Sequence, residues 1–199
     1  MGEFAITDES RRRVDGQQLT ESIGIDEGEI NWRKDFTGFD ESDRERLAGM
    51  SELFDGIADD LVDEFYEHLQ SHAEAVSILD SSSKSVEALK RSQSRYLMEL
   101  GGDEYGPEYF ERRARIGKIH DMLDLGPKIY LGAYSIYYEG IVRAIAEDVK
   151  SSVRGDDDGV DDPGRNGHAG GDSPSDLDEA VDAVVDRTLS TLKLINLDQ

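Results

Sequence analysis

The amino-acid sequence predicts an all-α protein of about seven helices, with a polar segment before the last of them. Apolar residues recur at three- and four-residue spacing along most of the chain, which places them on one face of a helix. Residues that cap or break helices lie between these periodic segments. Up-down bundles and globin-like packings both fit such a set of helices, so periodicity leaves the choice between them open.

The amino-terminal part of the chain carries the weakest helical signals. Residues 1–18 are polar, include a run of three arginines and predict a disordered lead-in, which leaves residues 19–199 as the folded domain. A short helix is expected from Thr20 onwards. Trp32 and Phe36 then suggest a segment that packs on the body of the domain.

The middle of the chain contains the clearest helical segments. Phe54, Leu61 and Leu69 fall on one helix face, with acidic residues between them. Serines cap the next helix and two glycines stop it, whereas Pro107 is suited to the first turn of the helix that follows. The predicted helices are residues 44–50, 52–71, the segment SSSKSVEALKRSQSRYLMEL, one from Pro107 to the Gly126-Pro127 break, and 127–153.

A polar segment separates the last two helices. Residues 154–175, RGDDDGVDDPGRNGHAGGDSPS, contain no apolar residue larger than Val160 and cannot bury enough surface to offset their ordering entropy. They predict a flexible acidic insertion. A final helix over residues 176–199 shows no capping residue before Gln199, so we expect it to continue into an output domain beyond residue 199.

The charge of the chain excludes several kinds of partner. Asp and Glu number 45 against 22 Lys and Arg, which gives a formal net charge of -23. Such a surface repels nucleic acid and anionic lipid, and its acidity favours a halophilic cytoplasm over the alternative of one acidic tail. The absence of cysteine excludes disulfides, iron–sulfur ligation and thiol catalysis. Without a signal peptide or a membrane-spanning stretch, a cytoplasmic protein with no membrane insertion is expected.

Four histidines are the main candidates for chemistry. His168 lies in the acidic insertion and is assigned no role. Glu64, His68 and His72 would share a helix face at zinc-binding spacing, but a solvated face is preferred because no ligand from another element is evident. His120 falls with Ile116 and Leu123 on an apolar helix face that should point to the core. It is either a core histidine bonded to carbonyl or carboxylate groups or an axial metal ligand, and both interpretations stay open.

Residues 113–138, RARIGKIHDMLDLGPKIYLGAYSIYY, resemble the proximal region of the globin-coupled sensors, and among these the haem-based aerotaxis transducers. The family pattern is Arg-x-x-Ile-x-x-x-His, a short loop before Pro-Lys, and aromatic-Tyr-x-Gly-Ala, in which Ile129 here replaces the aromatic residue. The resemblance extends to EFYEHLQ, VEALKRSQSRYLMEL and LKLINLDQ. The matching positions are Arg113, Ile116, His120, Gly126, Pro127, Lys128, Tyr130, Gly132 and Ala133.

This resemblance implies a globin-like sensor fold that binds haem b, iron protoporphyrin IX, with His120 as the iron ligand. It implies Tyr66 as the distal hydroxyl donor to bound oxygen, and Ser92 as a second distal hydroxyl where threonine is usual. Leu89 would pack over the distal face, and Tyr130 would lie close to the histidine. Considered alone, Tyr66 and Tyr130 would instead indicate core packing.

The resemblance also implies an oxygen sensor for aerotaxis that is not an enzyme. Helices 127–153 and 176–199 would pair with those of a second subunit in a homodimer, and the output domain would act on the chemotaxis kinase machinery. Carbon monoxide and nitric oxide are other gases that could bind the iron. Two alternatives stay open: a stand-alone oxygen-binding globin or haem enzyme, and a haem-free globin-like interaction module, which the presence of His120 disfavours.

Overall fold

Helices supply the regular secondary structure of residues 6–155 and 174–197, the part of the chain that this computed structural model describes. Apart from a single bridge between Ile6 and Ser82, this part contains no β-structure. The all-α prediction is therefore confirmed. The helices are α1 Asp8–Arg12, α2 Gly16–Ile23, α3 Glu27–Thr37, α4 Glu41–Ala48, α5 Ser51–Gln70, α6 Ala73–Asp80, α7 Val86–Leu100, α8 Pro107–Met122, α9 Pro127–Gly155 and α10 Pro174–Leu197.

The boundaries of the middle helices follow from capping chemistry. The Ser85 hydroxyl accepts a hydrogen bond from the Ala88 N–H at 3.3 Å, and α7 ends where Gly101 begins a turn. Proline opens both α8 and α9, where its missing N–H costs nothing. These helix starts agree with the sequence prediction. They could be predicted because a capping residue bonds to neighbouring residues of the same segment.

Helix α5 lies at the centre of the core and packs against α6, α7 and α9. Gly140 permits the close approach of α9, since a Cβ atom at this position would lie 2.4 Å from Leu61 Cδ1. Helix α9 packs in turn on α10, which also contacts α3 and α4. The residues of α5 and α9 that face each other are thus held at short range, which matters for the site described below.

A buried carboxylate joins α4 to α10. Asp43 is 1% exposed and accepts hydrogen bonds from the Ser190 hydroxyl at 2.6 Å and from Lys193 Nζ at 2.8 Å. Burial alone would raise the pKa of Asp43, but the hydrogen bonds from Lys193, Ser190 and the Asp40 N–H outweigh it and lower that pKa. This ion pair therefore stabilises the fold at neutral pH and weakens as the pH falls through the lowered pKa.

The amino-terminal segment is ordered where a disordered lead-in was expected over residues 1–18. Its described part, from Ile6 onwards, forms α1 and the start of α2, and the Arg11 side chain is buried. Helix α2 packs on α8, and Gly16 permits this because a Cβ atom there would lie 2.4 Å from the Glu111 carbonyl oxygen. Contacts with residues far away in the sequence thus order this segment, although its own composition is polar. Residues 1–5 lie outside the described part.

The structure differs from the sequence prediction in three further places. Helix α6 was not predicted, and the described helices outnumber the expected seven or so. Trp32 and Phe36 do not pack on the body: they are 55% and 75% exposed and stack on each other at 4.9 Å between ring centroids. Ile116, expected on the inner face of α8, is 38% exposed.

Some sequence predictions fall outside the described part. The acidic insertion predicted for residues 154–175 coincides with the gap between α9 and α10, apart from the helix ends at either side. The domain limits and the output domain beyond residue 199 stay predictions. None of the described helices combines the length and the apolar character that crossing a bilayer requires.

Candidate functional site

His120 lies in the last turn of α8, immediately before the chain reverses into α9. Its carbonyl oxygen accepts hydrogen bonds from the Leu123 and Leu125 N–H groups, at 3.1 Å and 3.0 Å. Asp124 adopts the left-handed conformation, with φ 54°, which an aspartate tolerates better than most residues. The tight turn brings the first turn of α9 back beside the histidine. Tyr130 consequently lies next to His120, with ring centroids 5.5 Å apart.

The imidazole of His120 is neutral, and its nitrogen atoms form no hydrogen bond with the described part of the chain. Within residues 6–155 and 174–197, the ring contacts Tyr130, and neither ring nitrogen forms a hydrogen bond. Burial, and to a smaller extent the charge of Arg11, lower the pKa of His120 to about 4. A neutral imidazole keeps a lone pair free for a metal ion. Of the two interpretations left open by the sequence, the one with both nitrogens bonded to carbonyl or carboxylate groups is not observed.

Aromatic side chains connect His120 to Tyr66 without interruption. On α9, Tyr130 contacts Tyr134 at 5.1 Å, and Tyr134 contacts Tyr137 at 6.1 Å between centroids. Tyr137 stacks at 4.5 Å on Phe65 of α5, which contacts Tyr66 at 5.3 Å. We call these five residues, Tyr130, Tyr134, Tyr137, Phe65 and Tyr66, the aromatic chain. It joins the histidine at the end of α8 to a tyrosine on α5.

Tyr66 is a buried hydrogen-bond donor. Its side chain is 6% exposed, and burial raises its pKa to about 12, so the hydroxyl stays protonated at neutral pH. A protonated phenol in an apolar setting can donate to an acceptor that enters beside it. The role of Tyr66 as a donor to a bound gas stays a prediction.

The two predicted residues on α7 lie in different environments. Leu89 is half-buried and packs against the hydrophobic core, as expected of a residue that covers an apolar ligand. Ser92 is exposed, and its hydroxyl donates to the Ala88 carbonyl oxygen of its own helix at 3.1 Å. The structure therefore brings Leu89 to the core but leaves Ser92 outside the buried aromatic group.

Arg113, the first residue of the predicted motif, connects α8 to α7. It is 8% exposed, its guanidinium lies 4.3 Å from the centroid of the Tyr96 ring, and it donates to Glu99 Oε2 at 3.1 Å. The Tyr96 hydroxyl in turn lies 3.4 Å from that of Tyr134. Arg113 therefore positions the histidine helix against the aromatic chain and is not itself a candidate ligand.

The other histidines do not form a metal site in the described part. His68 and His72 are exposed, with ring centroids 4.6 Å apart, and His72 Nδ1 lies 3.0 Å from the His68 carbonyl oxygen. No group of three His, Cys, Asp or Glu side chains suited to a metal ion occurs in the described ranges. This agrees with the solvated-face interpretation of Glu64, His68 and His72. His168 lies outside these ranges.

Three residues of the aromatic chain were not assigned to the site from sequence. Tyr134 and Tyr137 follow Tyr130 at spacings of four and seven, which places them on one helix face, so that signal was present. Phe65 could be recognised only as an apolar residue of α5. Its stacking on Tyr137 depends on how α5 and α9 cross.

The residues around His120 fit a flat, largely apolar group that carries a metal. A neutral, unbonded imidazole provides the ligand atom, and aromatic and aliphatic side chains provide apolar walls. Tyr66 provides a hydroxyl donor. His120, Tyr66, Tyr130 and Leu89 could hold such a group, whereas the hydroxyl of Ser92 is bonded within α7.

Comparison with known proteins agrees with this geometry. The chain is 44% identical over 194 residues to a protein of Halobacterium salinarum named "Heme-based aerotactic transducer HemAT". The match covers 98% of this chain and 36% of that relative, so the chain spans about a third of its length. A family model described as Protoglobin matches residues 26–199. This match confirms the predicted globin-like fold, and the chain belongs to the Protoglobin family.

Proposed function

We propose that this domain binds haem b through His120 and senses a diatomic gas, with oxygen as the first candidate, in a soluble aerotaxis transducer. The observation that carries the proposal is the neutral imidazole of His120, which has no hydrogen bond to the described protein and lies at one end of the aromatic chain. The family match and the name of the relative from Halobacterium salinarum support it.

Each residue of the site has a separate task. One ring nitrogen of His120 would bond the iron, and Tyr130 would limit the rotation of the imidazole ring. When bound, haem supplies an iron atom with one open coordination position for a gas such as oxygen, carbon monoxide or nitric oxide. The Tyr66 hydroxyl would donate a hydrogen bond to the gas. Such a bond favours a ligand that carries negative charge, and oxygen is the most charge-accepting of the three gases.

Signalling requires that gas binding favour one of two arrangements of the helices. Tyr130, the neighbour of His120, lies in the first turn of α9, and α9 packs on α10. Along α10, Leu177, Val181 and Leu189 are 59%, 53% and 49% exposed at helical spacing, which supports a homodimer through α9 and α10. A shift of His120 would reach that interface through α9.

The signal would leave the domain through a carboxyl-terminal output domain that acts on the chemotaxis kinase machinery. The greater length of the relative supports this, because the present chain spans 36% of it. The acidic composition and the halophilic source of that relative support a cytoplasm of high salt concentration. The domain is proposed to act by binding and not by catalysis.

Gas affinity of a Tyr66→Phe variant tests this function. We expect the oxygen dissociation constant of the haem-loaded dimer to rise roughly ten-fold, since one charge-assisted hydrogen bond is lost. Tyr105→Phe is the control, because Tyr105 is buried but its hydroxyl donates to backbone carbonyl oxygens elsewhere. Unchanged oxygen affinity together with an unchanged kinase response would refute the sensor mechanism.

The same preparation separates the two competing functions. A protein that stays colourless after addition of haem would be a haem-free interaction module. Rapid peroxide reduction by the isolated domain, without any effect of oxygen on a kinase, would indicate a haem enzyme.

A further inference from the structure

Arg11 of α1 is a buried cation without a full set of partners. Its side chain is 5% exposed, and one terminal nitrogen donates to the Ser82 hydroxyl oxygen at 2.6 Å. Its Nε is buried and has no hydrogen-bond partner in residues 6–155 and 174–197. A buried guanidinium with an unpaired N–H is costly unless an acceptor reaches it.

Two further cations accompany Arg11. Arg115 of α8 donates to the carbonyl oxygens of Arg11 and Val14, both at 3.1 Å. Lys84 is half-buried, and its amine forms no ion pair in the described part of the chain. Burial and then the charges of Arg11 and Arg115 lower the pKa of Lys84. We call Arg11, Lys84 and Arg115 the N-terminal cation cluster.

This cluster is unusual for a chain of formal charge -23. Asp8 is the carboxylate that acts on both Arg11 and Lys84, and it also accepts a hydrogen bond from the Ser83 hydroxyl at 2.9 Å. One carboxylate does not balance three cations that lie close together. The cluster is therefore built to receive an anion with oxygen acceptors.

The cluster lies at the His120 end of the candidate site. Arg115 and His120 both belong to α8, and Arg115 holds the carbonyl oxygens of Arg11 and Val14 beside that helix. Backbone hydrogen bonds from Ile6 N–H to the Ser81 carbonyl and from Ser83 N–H to the Ile6 carbonyl fix α1 against the loop before α7. The amino-terminal segment thus closes one side of the region around the histidine.

We propose that the N-terminal cation cluster binds the two propionate carboxylates of the haem. The inference rests on the proposed haem binding and names the residues that hold the charged edge of the group. The ring of a haem is apolar, and its two carboxylates are the anionic groups that this cluster would recognise. Arg11 Nε and the Lys84 amine supply donors that are left unused among residues 6–155 and 174–197. Haem would then also stabilise the docked position of α1.

A thermodynamic cycle tests this proposal. Its two changes are the Arg11→Gln substitution in the protein and the blocking of the carboxylates in the ligand. Apoprotein is loaded with haem or with haem dimethyl ester, whose carboxylates are blocked, and the rate of transfer to a scavenging apoglobin gives relative affinity. We expect Arg11→Gln to weaken retention of haem by roughly ten- to a hundred-fold, as expected for loss of charge-assisted hydrogen bonds. Retention of the dimethyl ester should change less than three-fold on the same scale.

Arg13→Gln is the matched control, because Arg13 lies on the same segment but is 77% exposed and paired with Glu9. It should retain both ligands as the wild type does. Lys84→Gln repeats the cycle without removing the anchor to Ser82, in case Arg11→Gln does not fold. In Lys84→Gln as well, we expect retention of haem to weaken more than retention of its dimethyl ester.

Each outcome separates this inference from the proposed function. Equal weakening of haem and its ester would mean that Arg11 only anchors α1 or binds an anion from solution, and would overturn the proposal. No weakening of either ligand would overturn it as well. A wild-type protein that binds neither ligand would instead refute haem binding itself.

Discussion

Tyr105 and Tyr137 are both buried, but only one of the two hydroxyl groups is satisfied. The Tyr105 hydroxyl reaches the carbonyl oxygens of Leu100 and Gly102 at 2.8 Å and 2.7 Å. The Tyr137 hydroxyl is buried and has no hydrogen bond of good geometry in the described part of the chain. Burial raises the pKa of Tyr137, and the nearby Gln93 side chain offsets part of that rise. At the residue scale, the Tyr137 hydroxyl and Arg11 Nε are therefore among the buried polar atoms without a good hydrogen bond in the described part of the chain.

We expect the two tyrosines to respond differently to loss of the hydroxyl. Tyr137→Phe removes an unsatisfied group and should leave the free energy of unfolding unchanged or raise it by up to about 1 kcal/mol. Tyr105→Phe leaves carbonyl acceptors unpaired and should lower it by about 1 to 2 kcal/mol. Urea denaturation of the apoprotein measures both values. An equal loss in the two variants would show that the Tyr137 hydroxyl is bonded in solution.

At the scale of helices, the crossing of α5 and α9 sets the geometry of the site. Tyr66 and Phe65 belong to α5, and the other members of the aromatic chain belong to α9. Gly140 allows the two helices to approach, because its missing side chain makes room for Leu61. Any residue that forces them apart should separate Phe65 from Tyr137.

Two glycines of α9 provide a matched test of this crossing. Gly140→Ala should lower the free energy of unfolding by about 1 to 3 kcal/mol, since the new methyl group overlaps Leu61. Gly132→Ala meets no atom within 4 Å and should raise it by about 1 kcal/mol through helix propensity. Thermal denaturation at fixed salt distinguishes them. A stabilised Gly140→Ala variant would contradict the described packing of α5 on α9.

The sequence predicted those elements whose signals are local. Caps and apolar periodicity are contained within a segment, so α5, α7, α8 and α9 began where expected. Helix α6 has only 8 residues and follows α5 after a short turn, which left too little periodicity to recognise. The ordered structure of α1 depends on the contact between Arg11 and Ser82, which are 71 positions apart in the sequence. No local pattern contains that information.

The same distinction applies to the candidate site. His120, Tyr66 and Tyr130 could be proposed because motif positions carry them, and their roles at a haem stay predictions. The contact between Phe65 and Tyr137 depends on tertiary structure, and so does the contact of Arg115, on the histidine helix, with the Arg11 carbonyl. Ser92 also matches a motif position, but such a match does not fix the direction of a side chain, and this hydroxyl bonds within its own helix. Its distal role stays a prediction.

At the scale of the whole molecule, α10 carries an exposed apolar stripe. Leu177, Val181, Val185 and Leu189 repeat at four-residue spacing and are between 47% and 59% exposed. An acidic protein of high net charge gains solubility from its surface, so a continuous apolar stripe on it indicates contact with another helix. The proposed homodimer would bury this stripe.

A charge introduced into the stripe should separate the subunits. Leu189→Asp is expected to raise the dimer dissociation constant by about a hundred-fold or more, because a buried carboxylate would face apolar side chains. Ile23→Asp, at a residue of α2 that is 62% exposed, is the control and should leave the dimer intact. Sedimentation velocity at several concentrations measures both. Equal dimer dissociation constants for the two variants would place the interface elsewhere.

The absorption spectrum of reduced protein, recorded with and without oxygen for the wild type and His120→Ala, tests the central claim most directly. We expect the haem-loaded wild type to show a reduced spectrum of five-coordinate iron that changes reversibly with oxygen. In His120→Ala the reduced spectrum should lose the features of an imidazole ligand and recover them when free imidazole is added. Identical spectra for the wild type and His120→Ala would contradict the assignment of His120 as the iron ligand, and with it the account of this domain as a sensor.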